Sequence, residues 1–215
     1  MTRTHVRAGS LLAVALLFAA CGGGGGGGGA PVTPTAAPTS SLLPPTSAAP
    51  VPDTAPPATT TSAAIVVDET LIDYLPIEVA GIALTSDPDT AGEIASDPDL
   101  AASASAIAVA SAIAPGTSVG DDLAVVSVVR LKPGVFDTEF FRSWRDSYDK
   151  AACEAAGGTA GNAQAVIGGR ETDIGTCGAG AHTYHVYLEA SNVIVSVTSV
   201  GRLRLGEQIV AGLRE

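Results

Sequence analysis

Hydrophobic residues follow a helical period between residues 136 and 158. Their spacing predicts a helix with one face against a core. Asp137 is a suitable N-cap, and Phe136 before it can pack on Phe141 beyond the cap. Two glycines follow the segment and are typical of a helix end. The stripe that we expect to face the core comprises Phe140, Phe141, Trp144, Tyr148, Ala151 and Ala152.

The opposite face of this helix is charged. Arg145 and Asp149, like two neighbouring pairs, lie four residues apart, so we expect exposed ion pairs there. A ligand-stacking aromatic box is the alternative interpretation of the stripe. The helical spacing of the aromatic residues favours a core.

The period changes to two from residue 163 onward. Segments 163–167 and 170–177 flank Gly168-Gly169, which predicts a hairpin with a primed turn. Segments 182–189 and 193–199 predict a second hairpin. A final helix is indicated by Leu205, Ile209 and Leu213.

The part of the chain between residue 65 and the aromatic helix is predicted to be mainly helical. The sequence Ser-Asp-Pro-Asp occurs at residues 86–89 and again at 96–99. A calcium site is one interpretation, but Asp followed by Pro is typical of a helix start, and the spacing does not fit an EF-hand loop. We expect a buried, alanine-rich helix over Leu100 to Ala114 and a central strand over Leu123 to Leu131.

Together these elements predict an α+β fold. Helices come early, four antiparallel strands come late, and one helix closes the chain. Residues 65–215 are enough for a single domain, with an antiparallel sheet and helices packed on it. We expect a disordered tether to precede this domain.

The first 21 residues have the pattern of an export signal. Arg3 and Arg7 precede a short apolar run that ends in Ala19-Ala20, directly before Cys21. This ending resembles a bacterial lipobox, although Phe18 stands where that family usually has leucine. The resemblance implies cleavage after residue 20, lipid on the Cys21 sulfur and a protein anchored to the cell membrane on its extracytoplasmic face. The alternative is an ordinary cleaved signal peptide that leaves an incidental thiol.

Residues 21–64 form the predicted tether. Eight glycines follow Cys21, and the remainder is almost entirely Ala, Pro, Thr, Ser and Val. Such a composition has too little apolar bulk to offset the entropy lost on ordering. Thr and Ser beside the prolines are candidates for O-linked glycosylation.

The charge of the chain argues against nucleic acid. The formal net charge is −11, and residues 65–122 hold 11 acidic residues with no Lys or Arg. Nucleic-acid binding depends mainly on basic side chains at phosphates. The acidic segment is most simply a solvated surface.

Two cysteines remain in the predicted domain. In an exported protein, Cys153 and Cys177 are expected to form a disulfide that ties the aromatic helix to a strand. Closing such a loop contributes roughly 3 kcal/mol in chain-entropy terms. His182 and His185 lie three apart in a strand and point to opposite faces, so we expect no metal site.

No catalytic motif stands out, and we expect no cofactor. We therefore expect a non-catalytic binding or interaction domain for an envelope protein or a small ligand. The candidate partner surface is the polar strand face of Thr183, His185 and Tyr187, which could equally be an ordinary solvated face. The alternative is an envelope hydrolase that uses a pair of carboxylates.

Overall fold

The computed structural model describes residues 64–115 and 122–215. The predicted leader, Cys21 and all but the last residue of the predicted tether lie outside the described residues. The strands are β1 Val66–Val67, β2 Glu78–Val79, β3 Ile82–Ala83, β4 Thr85–Ser86, β5 Ala104–Ile113, β6 Leu123–Leu131, β7 Thr159–Ile167, β8 Arg170–Cys177, β9 His182–Leu188 and β10 Val193–Val200. The helices are a 3-10 helix Glu69–Tyr74, α1 Pro88–Ala95, α2 Pro98–Ser103, α3 Thr138–Glu154 and α4 Leu205–Ala211.

Eight of these strands form one sheet, in the order β1-β5-β6-β10-β9-β8-β7. The short strand β4 also pairs with β5, on the same edge as β1, while β2 and β3 pair separately. Every pairing in the large sheet is antiparallel except that of β1 with β5. The predicted fold, an antiparallel sheet with helices packed on it, is confirmed.

Helices cover both faces of the sheet. On one face, the 3-10 helix contributes Leu71, its C-cap is Leu75, and α4 contributes Leu205 and Ile209. These residues form a core with the inward side chains of β5, β6, β9 and β10. On the other face, α1, α2 and α3 pack over Ile107, Val109, Val129 and Ile194. The strands in the middle of the sheet are therefore buried on both sides.

The prediction of a long helix over Leu100 to Ala114 is wrong. The helix that begins after Asp97 ends at Ser103, and the remainder is the ten-residue strand β5. Alanine favours helices, but propensity is a weak determinant beside tertiary packing. The segment alternates alanine with larger residues, and the structure uses this period of two. One face of β5 presents Ala106, Ala108, Ala110 and Ala112, and the other presents Ile107 and Val109.

The predicted helix caps are confirmed. The Asp87 side chain accepts a hydrogen bond from the backbone of Thr90, and Asp97 accepts from Asp99 and Leu100. Both aspartates therefore cap the short helices α1 and α2, with proline at the first turn of each. These bonds account for the repeated Ser-Asp-Pro-Asp sequence without a cation.

The start of α3 also follows the prediction. Asp137 accepts a hydrogen bond from the backbone of Phe140 at 2.7 Å. The Phe136 and Phe141 rings lie 5.9 Å apart between centroids, as expected for residues that bracket an N-cap.

Cys153 and Cys177 form a disulfide, with their Cα atoms 5.0 Å apart. Cys153 lies in the last turn of α3, and Cys177 is the last residue of β8. Both are buried, together with Ala181. The disulfide connects the C-terminal end of α3 to the sheet, as the sequence predicts.

Candidate functional site

A row of polar side chains crosses the sheet beneath α3. The strand register places Asp173 opposite His185, and His185 opposite Ser196. Gln164 extends the row on β7, and Ser127 extends it on β6. Directly opposed residues of antiparallel strands share a face. One face of the sheet therefore carries five polar residues side by side.

Two side chains in the middle of α3 bond to this polar row. The Trp144 indole N–H donates to Ser196 Oγ at 3.1 Å. Arg145 donates to Asp173 Oδ1 at 2.9 Å, in a pairing that leaves both side chains less than one fifth exposed. These bonds fix both the position of α3 along the strands and its rotation.

Of the α3 residues that bond to the polar row, Asp149 is the most deeply buried. Its Oδ1 lies 2.8 Å from His185 Nε2 and also accepts a hydrogen bond from Thr183 Oγ1. On the other side of the imidazole, His185 Nδ1 lies 3.0 Å from Ser196 Oγ. The prediction that Asp149 pairs with Arg145 on an exposed face is wrong, because Asp149 points into the sheet while Arg145 pairs with Asp146 and Asp173.

Gly175 makes room for this carboxylate. A Cβ at position 175 would lie 2.2 Å from Thr183 Oγ1 and 2.6 Å from Asp149 Oδ2, closer than real side-chain contacts allow. Asp149 Oδ2 itself is buried and has no hydrogen-bond partner among the described residues. The glycine lets the carboxylate approach the backbone of β8.

Tyr148 adds a further polar contact between α3 and the sheet. Its hydroxyl accepts a hydrogen bond from Thr198 Oγ1 at 3.0 Å. Burial raises the pKa of the Tyr148 phenol to about 12, with hydrogen bonds from Thr198 and Ser127 opposing this and the Asp149 carboxylate adding to it. The phenol therefore remains neutral across the physiological range.

Ser196, His185 and Asp149 form a chain of nucleophile, base and carboxylate that the sequence analysis missed. Their separation along the chain leaves no local motif, so only the strand register brings them together. The same residue types in this order perform nucleophilic catalysis in many hydrolases. Here Ser196 and His185 are completely buried and Asp149 is 2% exposed, so a substrate cannot reach the serine. The arrangement holds α3 on the sheet.

An open cleft of about 650 Å³ lies beside this network, between the first half of α3 and strands β7, β8 and β9. Its volume falls within the roughly 300–1,000 Å³ that is usual for ligand pockets. The aromatic wall consists of Phe136, Phe141 and Tyr187, with the rings of Phe136 and Tyr187 stacked at 3.4 Å between centroids. The Tyr187 hydroxyl donates to Asn192 Oδ1 at 2.9 Å, which fixes the orientation of the ring.

Charged groups also line the cleft. Arg142 and Glu171 are exposed there, while Arg145 and Asp173 are engaged with each other. Desolvation lowers the pKa of Arg145, but hydrogen bonds and charge from Asp146 and Asp173 outweigh it, so the pKa lies above its ordinary value. The cleft thus combines an aromatic wall, an exposed cation and an exposed carboxylate.

The predicted partner surface is not an exposed strand face. Thr183 and His185 are completely buried beneath α3, because the polar face of β9 is covered by a helix with polar side chains of its own. Only Tyr187 of the three predicted residues reaches the cleft. The sequence periodicity correctly places Thr183, His185 and Tyr187 on one face of β9. The expectation that this face contacts solvent, which is usual for a polar face of an antiparallel sheet, is wrong for Thr183 and His185.

The chain matches no family model, and no curated protein or solved structure matches it. Within residues 64–115 and 122–215, no three or more His, Cys, Asp or Glu side chains are grouped so that they could hold a metal ion. No helix in the same residues is long and apolar enough to cross a membrane.

Proposed function

We propose that this chain is a lipid-anchored lipoprotein of the extracytoplasmic membrane face whose domain binds a ligand or partner without catalysing a reaction. The anchor is proposed from the leader and Cys21. The binding role is proposed from the cleft beside α3, which is the observation that carries it. Its aromatic wall and exposed charges are the groups that ligand sites use for apolar contact and for orientation.

Two further observations support a binding role over catalysis. The serine, histidine and aspartate beneath α3 are closed off from solvent. Within the cleft, the Asp173 carboxylate already accepts hydrogen bonds from Arg145 and Gln164 at 2.9 Å each.

The disulfide between α3 and β8 supports the proposed extracytoplasmic location, because such bonds persist in an oxidising compartment.

The anchor is tested by mass spectrometry of the mature N-terminus. We expect a chain that begins at Cys21 and carries a diacylglyceryl group, and a Cys21→Ser variant that is not lipidated. A mature chain with an unmodified Cys21, or one that begins elsewhere, would remove the anchor from the proposal.

The cleft is tested by binding of envelope components to the purified chain. We expect Phe141→Ala and Arg142→Ala to weaken retention of a bound component at least several-fold, since both residues line the cleft. Arg202→Ala is the matched control, because Arg202 is an exposed arginine outside the cleft. Equal retention by all variants, or an equal loss in the control, would show that the cleft is not the binding site.

The envelope hydrolase remains a second candidate, and the cleft gives it one supporting observation. Glu171 and Asp173 lie two apart on β8, share a face and line the same cleft. Most glycoside hydrolases use a pair of carboxyl groups for catalysis. If the chain hydrolyses envelope polysaccharide, Glu171→Gln should abolish turnover and leave the fold unchanged. Absence of turnover by the native chain would eliminate this candidate.

A further inference from the structure

The outer edge of β7 is open in the described part of the chain. This nine-residue strand pairs with β8 on one side, and none of the residues in 64–115 or 122–215 pairs with the other. Every residue of β7 except Ile167 is exposed. An edge strand of this kind presents a row of backbone N–H and C=O groups that can pair with another strand.

Proteins usually protect such edges, and β7 lacks the usual protection. Its sequence, TAGNAQAVI, contains no charged residue and no proline. A bulge at its beginning, between Thr159 and Gly161, leaves Gly161 to Ile167 in regular register with β8. Charges, prolines and central bulges are the devices that keep edge strands from pairing. The regular part of β7 is therefore available to a second strand.

The opposite edge of the sheet is protected. Two short strands, β1 and β4, lie end to end along β5 and cover part of it. The residues that follow β1 and β4 include Asp68, which forms an ion pair with Arg130, and Asp87, which caps α1. Only β7 thus offers a long uncharged edge within the described residues.

We propose that β7 pairs with β7 of a second copy of this chain, antiparallel across a twofold axis, to join two sheets into one. The strand is self-complementary for this purpose, because its residues are uncharged and pair across the axis without like-charge repulsion. An axis near Gln164, the middle of the regular segment, would place Ala163 opposite Ala165 of the second copy.

The distribution of charge favours this occupant over an unrelated strand. Helices α1 and α2, with their N-caps, hold five acidic residues and pack against β1 and β5 at the other edge of the sheet. Pairing through β7 would place these acidic regions at the two far ends of the joined sheet. Self-association is then possible for a chain of net charge −11, because the contact itself is neutral.

Sedimentation velocity of the full chain in density-matched detergent tests the proposal. We expect a dimer for the native chain and a monomer for Gln164→Lys, which places two like charges near the twofold axis. Val66→Lys is the matched control, since Val66 is an exposed residue of the opposite edge strand, and it should remain dimeric. Circular dichroism and thermal melting should show that both variants fold.

Cysteine cross-linking locates the contact. Directly opposed residues in antiparallel strands lie close enough for a disulfide, so a single cysteine at 164 should give a cross-linked dimer on a non-reducing gel. A mixture of two variants, one with a cysteine at 163 and one with a cysteine at 165, should cross-link as well. Val66→Cys and the native chain should not. A native chain that is monomeric at every concentration overturns the proposal. So does a dimer that Gln164→Lys leaves intact, or an edge that pairs only with a strand of another protein.

Discussion

The two faces of strands β9 and β10 are both buried, yet different interactions hold the helices on them. Against α4 and the 3-10 helix, the strands present Tyr184, Val186, Leu188, Val193, Val195 and Val197. Against α3 they present Thr183, His185, Ser196 and Thr198, each of which bonds to a side chain of the helix or to its neighbour in the row. Apolar burial is non-directional, whereas a hydrogen bond needs its partner in one place. The polar face therefore determines where α3 lies, and the apolar face contributes mainly free energy.

The comparison predicts that the polar face is the more sensitive to substitution. Asp149→Ala should lower the free energy of unfolding by about 3–5 kcal/mol, because it leaves the buried His185 and Thr183 without their shared acceptor. On the apolar face, Ile209→Val should cost only about 0.5–1.5 kcal/mol. Urea denaturation measures both values. Similar costs for the two variants would contradict the difference between the faces.

A double-mutant cycle sharpens this test. The costs of Asp149→Ala and His185→Ala should fall short of additivity, since either change breaks the same bond. Asp149→Ala and Ile209→Val should add to within roughly 0.5 kcal/mol, because they lie on opposite faces of the sheet. Additivity in the first pair would show that the His185–Asp149 contact is energetically unimportant.

The disulfide also holds α3 against the sheet, so its removal should destabilise the same face. The double variant Cys153→Ala/Cys177→Ala should lower the free energy of unfolding by about 3 kcal/mol. Hydrogen exchange should accelerate most in the last turns of α3, next to the lost link, and least in α4. Equal acceleration in both helices would show that the disulfide does not act specifically on α3.

A smaller effect at neutral pH than for the disulfide is expected from Tyr148. Its folded pKa of about 12 lies above the ordinary value of 10.0, so its contribution is complete below pH 10 and is lost as the pH rises towards 12. Tyr148→Phe should flatten the loss of stability in that window. At pH 7 it should lower stability by about 1–2 kcal/mol, because the hydroxyl loses its hydrogen bonds with Thr198 and Ser127. Urea denaturation at pH 7 and between pH 10 and 12 tests this, and an unchanged alkaline profile would contradict it.

The sequence predicted most of the elements whose signals are local. Asp137 with Phe136, the repeated Asp-Pro pairs and Gly168-Gly169 each act within a few residues, and the structure places a cap or a turn at each. It failed at β5, where alanine content suggested a helix and an alternation of period two indicated a strand. Local propensity differs little between these states for such a segment, so packing on both faces decided the outcome.

The candidate site was far less predictable. As a partner surface, the sequence predicted Thr183, His185 and Tyr187, and it placed the first two in contact with solvent. Ser196 and Asp149 carried no signal for this network, because their contacts with His185 join residues 11 and 36 positions apart. The same holds for Gly175, which meets the Asp149 carboxylate.

The fold class, the helix caps and the two cysteines available for a disulfide were thus predictable from the residues alone. These properties depend on composition and on interactions between near neighbours. Three features became known only from the folded arrangement: α3 covers the polar face of β9, Asp149 turns inward, and β7 has an open edge among the described residues. Each of these depends on strand order and register, which arise from contacts between distant residues that no local pattern records.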